Sequence, residues 1–224
     1  MNKTIIFDLD GTILDTLEDL NTSLNHVLSL FNYNEVSIDK TKALVGNGIR
    51  NLIKDAAGNP KELDSMYDEF IKYYEINYAN YTKTYDGIYD VISELKYKGY
   101  NIVLFTNKNV KIAKKLIAKF YNNLFDYIIG DGMNIKRKPD SDGINIIKAK
   151  YNIDYNDILL IGDSDTDIKT IMNAGIKGII VSYGFKEKEY LKNIWNGIIV
   201  DTPYEILSAI DNVFASWYKL KYLL

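Results

Sequence analysis

The chain has 224 residues, a net charge of −3 and 47% hydrophobic residues, enough for a sizeable core in one or two domains. The lack of a basic excess argues against a nucleic-acid partner, and no run of about 18 apolar residues predicts a membrane span. With no cysteine, disulfides and thiolate chemistry are excluded. The single histidine, His26, leaves acid–base chemistry to carboxylates, lysine or tyrosine. Since no secretory signal precedes the first apolar run, we expect a cytoplasmic protein.

The first predicted element is a strand at residues 4–7, where a short apolar run is typical of a buried parallel strand. Apolar residues then recur every three or four positions as far as residue 81, and no strand pattern interrupts them. Four helical stretches follow one another in this segment, with stops at Gly46-Asn47-Gly48 and Gly58-Asn59-Pro60. We therefore predict an all-helical domain at residues 16–81, inserted after the first strand.

Strand and helix patterns alternate after residue 81. The further strands are predicted at 101–105, 127–129, 158–161, 178–181 and 198–200, with helical patterns near 88–95, 110–117, 141–151, 168–172 and after 202. Repeated strand–helix units with short turns imply a parallel sheet covered on both faces. The predicted fold is α/β, with a Rossmann-like parallel-sheet core at residues 1–15 and 82–224 that the helical domain interrupts.

Polar residues follow several predicted strands at the point where each strand ends. They are Asp8 and Asp10, then Thr106 and Asn107, then the segment 162–167, to which Lys138 adds a loop residue between a strand and a helix. In open parallel sheets, ligands bind beyond the carboxyl ends of the strands. We therefore expect these four segments to meet at one edge of the sheet.

Four carboxylates would be brought together there, those of Asp8, Asp10, Asp163 and Asp167. Clustered carboxylates repel one another unless a cation lies among them, and oxygen ligands favour a hard ion such as Mg²⁺. Thr106, Asn107 and Lys138 can donate hydrogen bonds to an anion, so the set predicts a phosphate site. One carboxylate can attack phosphorus and a second can act as acid and base, for which Asp10 is the natural candidate.

At these residues the chain resembles the haloacid dehalogenase superfamily of phosphohydrolases. Its four motifs resemble, in order, the segments Asp8-Leu9-Asp10-Gly11-Thr12-Ile13-Leu14-Asp15-Thr16, Phe105-Thr106-Asn107-Lys108, Lys138-Pro139-Asp140 and Gly162-Asp163-Ser164-Asp165-Thr166-Asp167. The helical insertion is similar to the family's C1 cap. The segment 45–50 within it resembles a loop of phosphoglycolate-phosphatase-like members.

The resemblance implies a role for each matching residue. Asp8 would be the nucleophile and a magnesium ligand, and Asp10 the acid–base residue, which also ligates magnesium through its backbone carbonyl. Thr106, the amide of Asn107 and Lys138 would hold the phosphoryl group. Asp163 would ligate magnesium, and we expect Asp167 rather than Asp165 to support the metal. Gly11, Gly46 and Arg50 are further candidates for substrate binding.

The resemblance implies hydrolysis of a small phosphorylated metabolite through an aspartyl phosphate, with phosphoglycolate or a sugar phosphate as the substrate. Three alternatives stay open. One is a β-phosphoglucomutase-like phosphosugar mutase, and another is a pyrophosphatase or nucleotidase on the same scaffold. The third belongs to a different class, a non-catalytic binding protein with a residual site. One departure from the family pattern is Ser141, where members often have proline after Lys-Pro-x.

Overall fold

A computed structural model describes residues 3–221, with side chains described as far as residue 215, so the ends of the predicted core at 1–2 and 222–224 lie outside it. The strands are β1 Thr4–Phe7, β2 Leu14–Asp15, β3 Lys83–Thr84, β4 Asn101–Asn109, β5 Tyr127–Asp131, β6 Ile158–Gly162, β7 Lys177–Val181 and β8 Ile198–Val200. The helices are α1 Leu17–Leu30, α2 Ile38–Leu44, α3 Ile49–Ala57, α4 Leu63–Asn77, α5 Ile88–Tyr97, α6 Val110–Phe120, α7 Asp142–Tyr151, α8 Asp165–Ala174, α9 Lys188–Ile194 and α10 Glu205–Lys221. Within residues 3–221, none of these helices combines the length and the apolar character needed to cross a membrane.

Six of the strands form one sheet in the order β5-β4-β1-β6-β7-β8, and every neighbouring pair is parallel. The first strand of the chain, β1, lies inside the sheet, with Phe7 opposite Leu104 of β4 and Ile161 of β6. The predicted α/β fold with a parallel-sheet core and a helical insertion is confirmed. This strand order puts the residues that follow β1 between the ends of β4 and β6.

The side chains of β1 alternate between two apolar layers, as the period of a strand requires. Ile5 and Phe7 belong to the layer that contains the buried faces of α5, α6 and α10, and Ile6 belongs to the layer that contains α7, α8 and α9. All three side chains are fully buried. Because both faces of the sheet are covered, the strand reads in the sequence as a continuous apolar run.

The helices α1 to α4 lie between β2 and β3, which pair antiparallel as a two-stranded ribbon. The buried carboxylate of Asp19 in α1 accepts hydrogen bonds from the backbone N–H groups of residues 80–82 and from the hydroxyl of Thr82. These bonds fasten the start of the insertion to its end. The sequence did not predict the ribbon, and the boundaries at 15/16 and 81/82 stay predictions.

Two elements end elsewhere than predicted. β4 extends to Asn109, which pairs with Asp131 of β5 after an irregularity that follows Phe105. Thr106 and Asn107 therefore lie within the strand and not in a loop after it. The fourth helix ends at Asn77 and not near residue 80. The backbone N–H of Asn80, which would extend the helix, donates to Asp19 instead.

The central position of β1 predicts a large cost for Ile6→Ala. Truncating this fully buried side chain removes apolar contacts and leaves a cavity in the core. We expect the free energy of unfolding to fall by about 2–5 kcal/mol. The matched control is Ile76→Ala, since Ile76 is 77% exposed in α4 and should cost no more than about 0.5 kcal/mol. Urea denaturation of both variants measures the difference, and equal losses would contradict the assigned core.

Candidate functional site

Asp8 follows β1 directly, and its position is fixed by the backbone on one side and by a buried lysine on the other. Its N–H donates to the carbonyl of Ile161 at 2.9 Å, which continues the pairing of β1 with β6. Its Oδ1 lies 2.9 Å from the Nζ of Lys138, and the same ammonium lies 2.6 Å from Oδ1 of Asp167. One lysine is therefore shared between two carboxylates at the carboxyl edge of the sheet.

The carboxylates of Asp8, Asp163 and Asp167 form a buried cluster in which one oxygen of each lies within 4.8 Å of the others. Burial raises the pKa of Asp8 to about 7, although the charge of Lys138 opposes the shift. Burial also raises the pKa of Asp163 well above its usual range, and the charges of Asp167 and Asp8 add to the effect. Both shifts favour the protonated form, because three ionised carboxylates would hold more negative charge than Lys138 compensates.

A divalent cation fits this cluster. The available donors are carboxylate oxygens, which hard cations such as Mg²⁺ prefer. Oδ1 of Asp8 is buried and, within the described residues, has no aligned hydrogen bond in spite of its closeness to Lys138. The carboxylate of Asp163 is held by the N–H of Phe185, which donates to Oδ2 at 2.7 Å.

Asp167 occupies its place through the start of α8. Ser164 and Asp167 form a capping box, in which the Ser164 side chain accepts from the N–H of Asp167 and the Asp167 side chain accepts from the N–H of Ser164 at 3.1 Å. Asp167 is fully buried, whereas Asp165 is paired with Lys169 on the helix surface. The structure therefore brings Asp167 and not Asp165 into the cluster, as expected from its motif position.

The side chain of Asp10 points away from this cluster. Its carboxylate accepts hydrogen bonds from the hydroxyl of Thr16 at 2.5 Å and from the ammonium of Lys108 at 2.9 and 3.2 Å. The surroundings of Asp8 and Asp10 differ because β1 ends at Phe7 and the chain bends at Leu9, between the two aspartates. Burial lowers the pKa of Lys108, but the charge of Asp10 more than offsets this and the pKa lies above its usual value.

Lys108 is the last residue of the second motif, but the sequence predicted no role for it in the site. It is buried in β4 two positions after Thr106, so the two side chains leave the strand on the same side. That spacing was the available signal, since a lysine within an apolar strand is rare unless it is paired. Thr106 itself is buried, and its hydroxyl accepts from the N–H of Lys108 at 3.2 Å.

The turn at residues 46–48 of the insertion contacts two of the segments that carry the site. Asn107 donates through its side-chain amide to the carbonyl of Gly46 at 3.2 Å and to that of Lys138 at 3.0 Å. Thr166 donates to Oδ1 of Asn47 at 3.1 Å. The insertion therefore closes over the site in this structure.

A cavity of about 40 Å³ lies between the insertion and the sheet edge. Its lining is formed by Asp8, Asp10, Leu20, Val45, Gly46, Gly48, Ile49, Leu52, Thr106, Asn107, Lys108, Asp163, Ser164, Phe185 and Lys186. Gly46 is thus at the cavity, whereas Arg50 is exposed and paired with Asp64, and the described lining does not include it. The role of Arg50 in substrate binding stays a prediction without support from this arrangement.

Comparison with known proteins agrees with this geometry. The sequence profile of the haloacid dehalogenase-like hydrolases matches residues 5–181. A phosphoglycolate phosphatase of Caulobacter vibrioides is 32% identical over 220 residues, which cover 95% of this chain and 92% of that protein. An N-acetylmuramic acid 6-phosphate phosphatase of Pseudomonas aeruginosa is 27% identical over 214 residues, which cover 93% of this chain and 95% of that protein.

Among solved structures, a predicted phosphoglycolate phosphatase from Haemophilus somnus has a TM-score of 0.86 at 27% identity, and the match covers 92% of this chain and 96% of that one. The two named relatives are phosphatases, and the match covers nearly their whole length. The expectation of an enzyme is therefore confirmed, against the alternative of a non-catalytic binding protein.

The turn at Gly11 predicts a specific cost for Gly11→Ala. A Cβ at Gly11 would overlap the carboxylate of Asp163, whereas a Cβ at Gly99, which has nearly the same φ of +82°, would meet nothing within 4 Å. Both substitutions carry the strain of a left-handed residue, about 1–2 kcal/mol. We expect Gly11→Ala to lose about 1–3 kcal/mol more than Gly99→Ala in the free energy of unfolding, measured by urea denaturation. Equal losses would show that Gly11 does not pack against Asp163 as described.

Proposed function

The chain belongs to the haloacid dehalogenase-like hydrolase family, and from this premise we propose that it is a Mg²⁺-dependent phosphatase that hydrolyses small phosphate monoesters through a phosphorylated Asp8. The observation that carries the proposal is the placement of Asp8. Its carboxylate lies at the carboxyl edge of a parallel sheet, 2.9 Å from the ammonium of Lys138 and beside two further buried carboxylates. A nucleophile, a fixed cation and a metal-binding set thus share one small space.

In the first step, an oxygen of the Asp8 carboxylate attacks phosphorus. A bond forms between that oxygen and phosphorus, and the bond from phosphorus to the ester oxygen breaks. The departing oxygen takes a proton from Asp10, so the organic part leaves as an alcohol and Asp10 becomes a carboxylate. Asp10 lies on the side of the cavity that faces the insertion, where the alcohol part of a substrate has room.

In the second step, water attacks the phosphorus of the aspartyl phosphate and gives a proton to Asp10. The bond between phosphorus and Asp8 breaks, so inorganic phosphate leaves and the Asp8 carboxylate is restored. Lys138 stays between Asp8 and Asp167 throughout and neutralises charge on the phosphoryl oxygens. Thr106 and the backbone amide of Asn107 donate to the same oxygens.

The residues that would hold Mg²⁺ are Asp8, Asp163 and Asp167, together with the backbone carbonyl of Asp10. When bound, the ion supplies charge neutralisation for the phosphoryl group and orients it toward Asp8. Asp167 has its oxygens engaged by Lys138 and Ser164, so its support of the ion is direct or through water.

Phosphoglycolate is the leading candidate substrate. The support is the name of the Caulobacter relative, together with a cavity that the insertion covers. A relative of similar identity is named for N-acetylmuramic acid 6-phosphate, so a sugar phosphate belongs in the same test. No contact in the site favours the mutase, pyrophosphatase or nucleotidase alternatives, and a substrate panel separates them.

The nucleophile is tested by Asp8→Asn. Since the amide cannot attack phosphorus, we expect turnover of p-nitrophenyl phosphate to fall at least about a thousandfold, and turnover by the wild type to require Mg²⁺ and stop with EDTA. Asp165→Asn is the matched control, because Asp165 is paired with Lys169 outside the cluster. Substantial activity of a folded Asp8→Asn variant would refute the aspartyl-phosphate mechanism.

The metal-binding set is tested without turnover, by the effect of Mg²⁺ on thermal unfolding. At a Mg²⁺ concentration of about 100 times the dissociation constant, binding stabilises the fold by about 2.7 kcal/mol, which raises Tm by about 5 to 10 °C. We expect Asp163→Asn and Asp167→Asn to reduce this rise and Asp165→Asn to retain it. A full rise in Asp163→Asn would place the metal elsewhere.

A further inference from the structure

Lys108 is a buried cation that the proposed mechanism leaves without a task. Its ammonium lies 2.9 and 3.2 Å from the two carboxylate oxygens of Asp10 and 4.7 Å from the centre of the Tyr74 ring. The residue is only 4% exposed. Burying an ammonium costs free energy unless it is paired, so a lysine here needs a reason beyond packing.

The position of Asp10 sets how close Lys108 comes to a bound substrate. As acid and base, Asp10 must lie about 3 Å from the ester oxygen of the substrate. The ammonium lies one further hydrogen-bond length from Asp10, which places it within about 6 Å of that oxygen. A charged group attached one carbon away from the ester oxygen would therefore come within direct reach of Lys108.

The rest of the cavity wall offers little to such a group. The side chains that the insertion contributes are apolar, namely Leu20, Val45, Ile49 and Leu52. The other lysine on this side, Lys186, donates to the carbonyl of Ala43 at 3.0 Å. On the phosphoryl side, Lys138 is shared by Asp8 and Asp167.

The hydroxyl of Tyr74 is a second polar group at this place. It is buried and has no hydrogen-bond partner among the residues that the structure describes. Burial raises the pKa of Tyr74 to about 12, so the hydroxyl keeps its proton and stays a donor. Tyr74 is buried beside Lys108 and is not among the described residues that line the cavity, so Lys108 is the member of this pair that can reach an anion there.

We propose that Lys108 determines specificity by binding a carboxylate on the alcohol part of the substrate, so that the preferred substrates are phosphate monoesters of short hydroxycarboxylic acids. The inference rests on the proposed function and deepens it, because it assigns the part of the site that distinguishes one monoester from another. Lys108 then divides its hydrogen bonds between Asp10 and the substrate carboxylate.

The test compares two substrates that differ in the carboxylate, 2-phosphoglycolate and ethyl phosphate. The Lys108→Met variant disturbs Asp10 for both esters, so the ratio of their kcat/KM values isolates recognition of the carboxylate. A charge-assisted hydrogen bond is worth about a factor of ten or more, and we expect the ratio to fall by at least about tenfold. Lys108→Arg keeps the charge and should restore part of the preference.

Lys111→Met is the matched control, because it removes the same charge from an exposed position at the start of α6. It should leave the ratio unchanged. A second readout needs no turnover. In the Asp8→Asn background with Mg²⁺, calorimetry should show that Lys108→Met weakens binding of 2-phosphoglycolate at least about tenfold and barely changes binding of ethyl phosphate.

Equal losses for both esters, in kcat/KM and in binding, would overturn the inference and leave Lys108 as a positioning residue for Asp10. That result differs from failure of the proposed function. A folded wild type that hydrolyses neither ester nor p-nitrophenyl phosphate would overturn the phosphatase proposal, and this inference with it.

Discussion

The burial of three carboxylates around one ammonium is the constraint on which the rest of the site depends. Like charges at this distance repel, and burial weakens the screening that water would supply. The cluster persists because rigid elements hold each member. Asp8 is fixed by the N–H that it donates to Ile161, and Asp167 by the capping box at the start of α8. The parallel sheet thus supplies the stiffness that keeps unfavourable charges together, and a cation among them relieves the repulsion.

The insertion belongs to the same hydrogen-bonded system as the cluster. The side chain of Asn107 joins the carbonyl of Gly46 in the insertion to the carbonyl of Lys138, so one amide ties the turn over the cavity to the lysine that neutralises Asp8. At the linker, Thr16 donates to Asp10. Movement of the insertion would therefore change partners of both Asp10 and Asn107, which links closure to the arrangement of the site.

The sequence predicted those features that rest on local pattern, and missed those that rest on distant contacts. The apolar run at residues 4–7 and the polar turn after it lie in one stretch of chain, so the sequence predicted Asp8 at the carboxyl end of a strand. The pairing of Lys108 with Asp10 joins residues 98 positions apart, so the local sequence can indicate that Lys108 is paired but not with which residue. The same holds for Asp19, whose carboxylate holds residues 80–82 and ends α4 early. The ion pair of exposed Arg50 with Asp64 likewise depends on how the helices pack, which the local sequence does not show.

Two aspartates only two positions apart acquire different chemistry because of one turn. In a straight strand, Asp8 and Asp10 would share a face and compete for the same surroundings. Here β1 ends at Phe7 and the chain bends at Leu9, so the two side chains do not share a face, and Gly11 continues the turn where a side chain would meet Asp163. Asp8 then faces the acidic cluster and Lys138, while Asp10 faces Lys108 and the insertion. In the proposed mechanism, these separate environments let one carboxylate act on phosphorus and the other on the departing alcohol, so the two roles follow from the bend of the chain after β1.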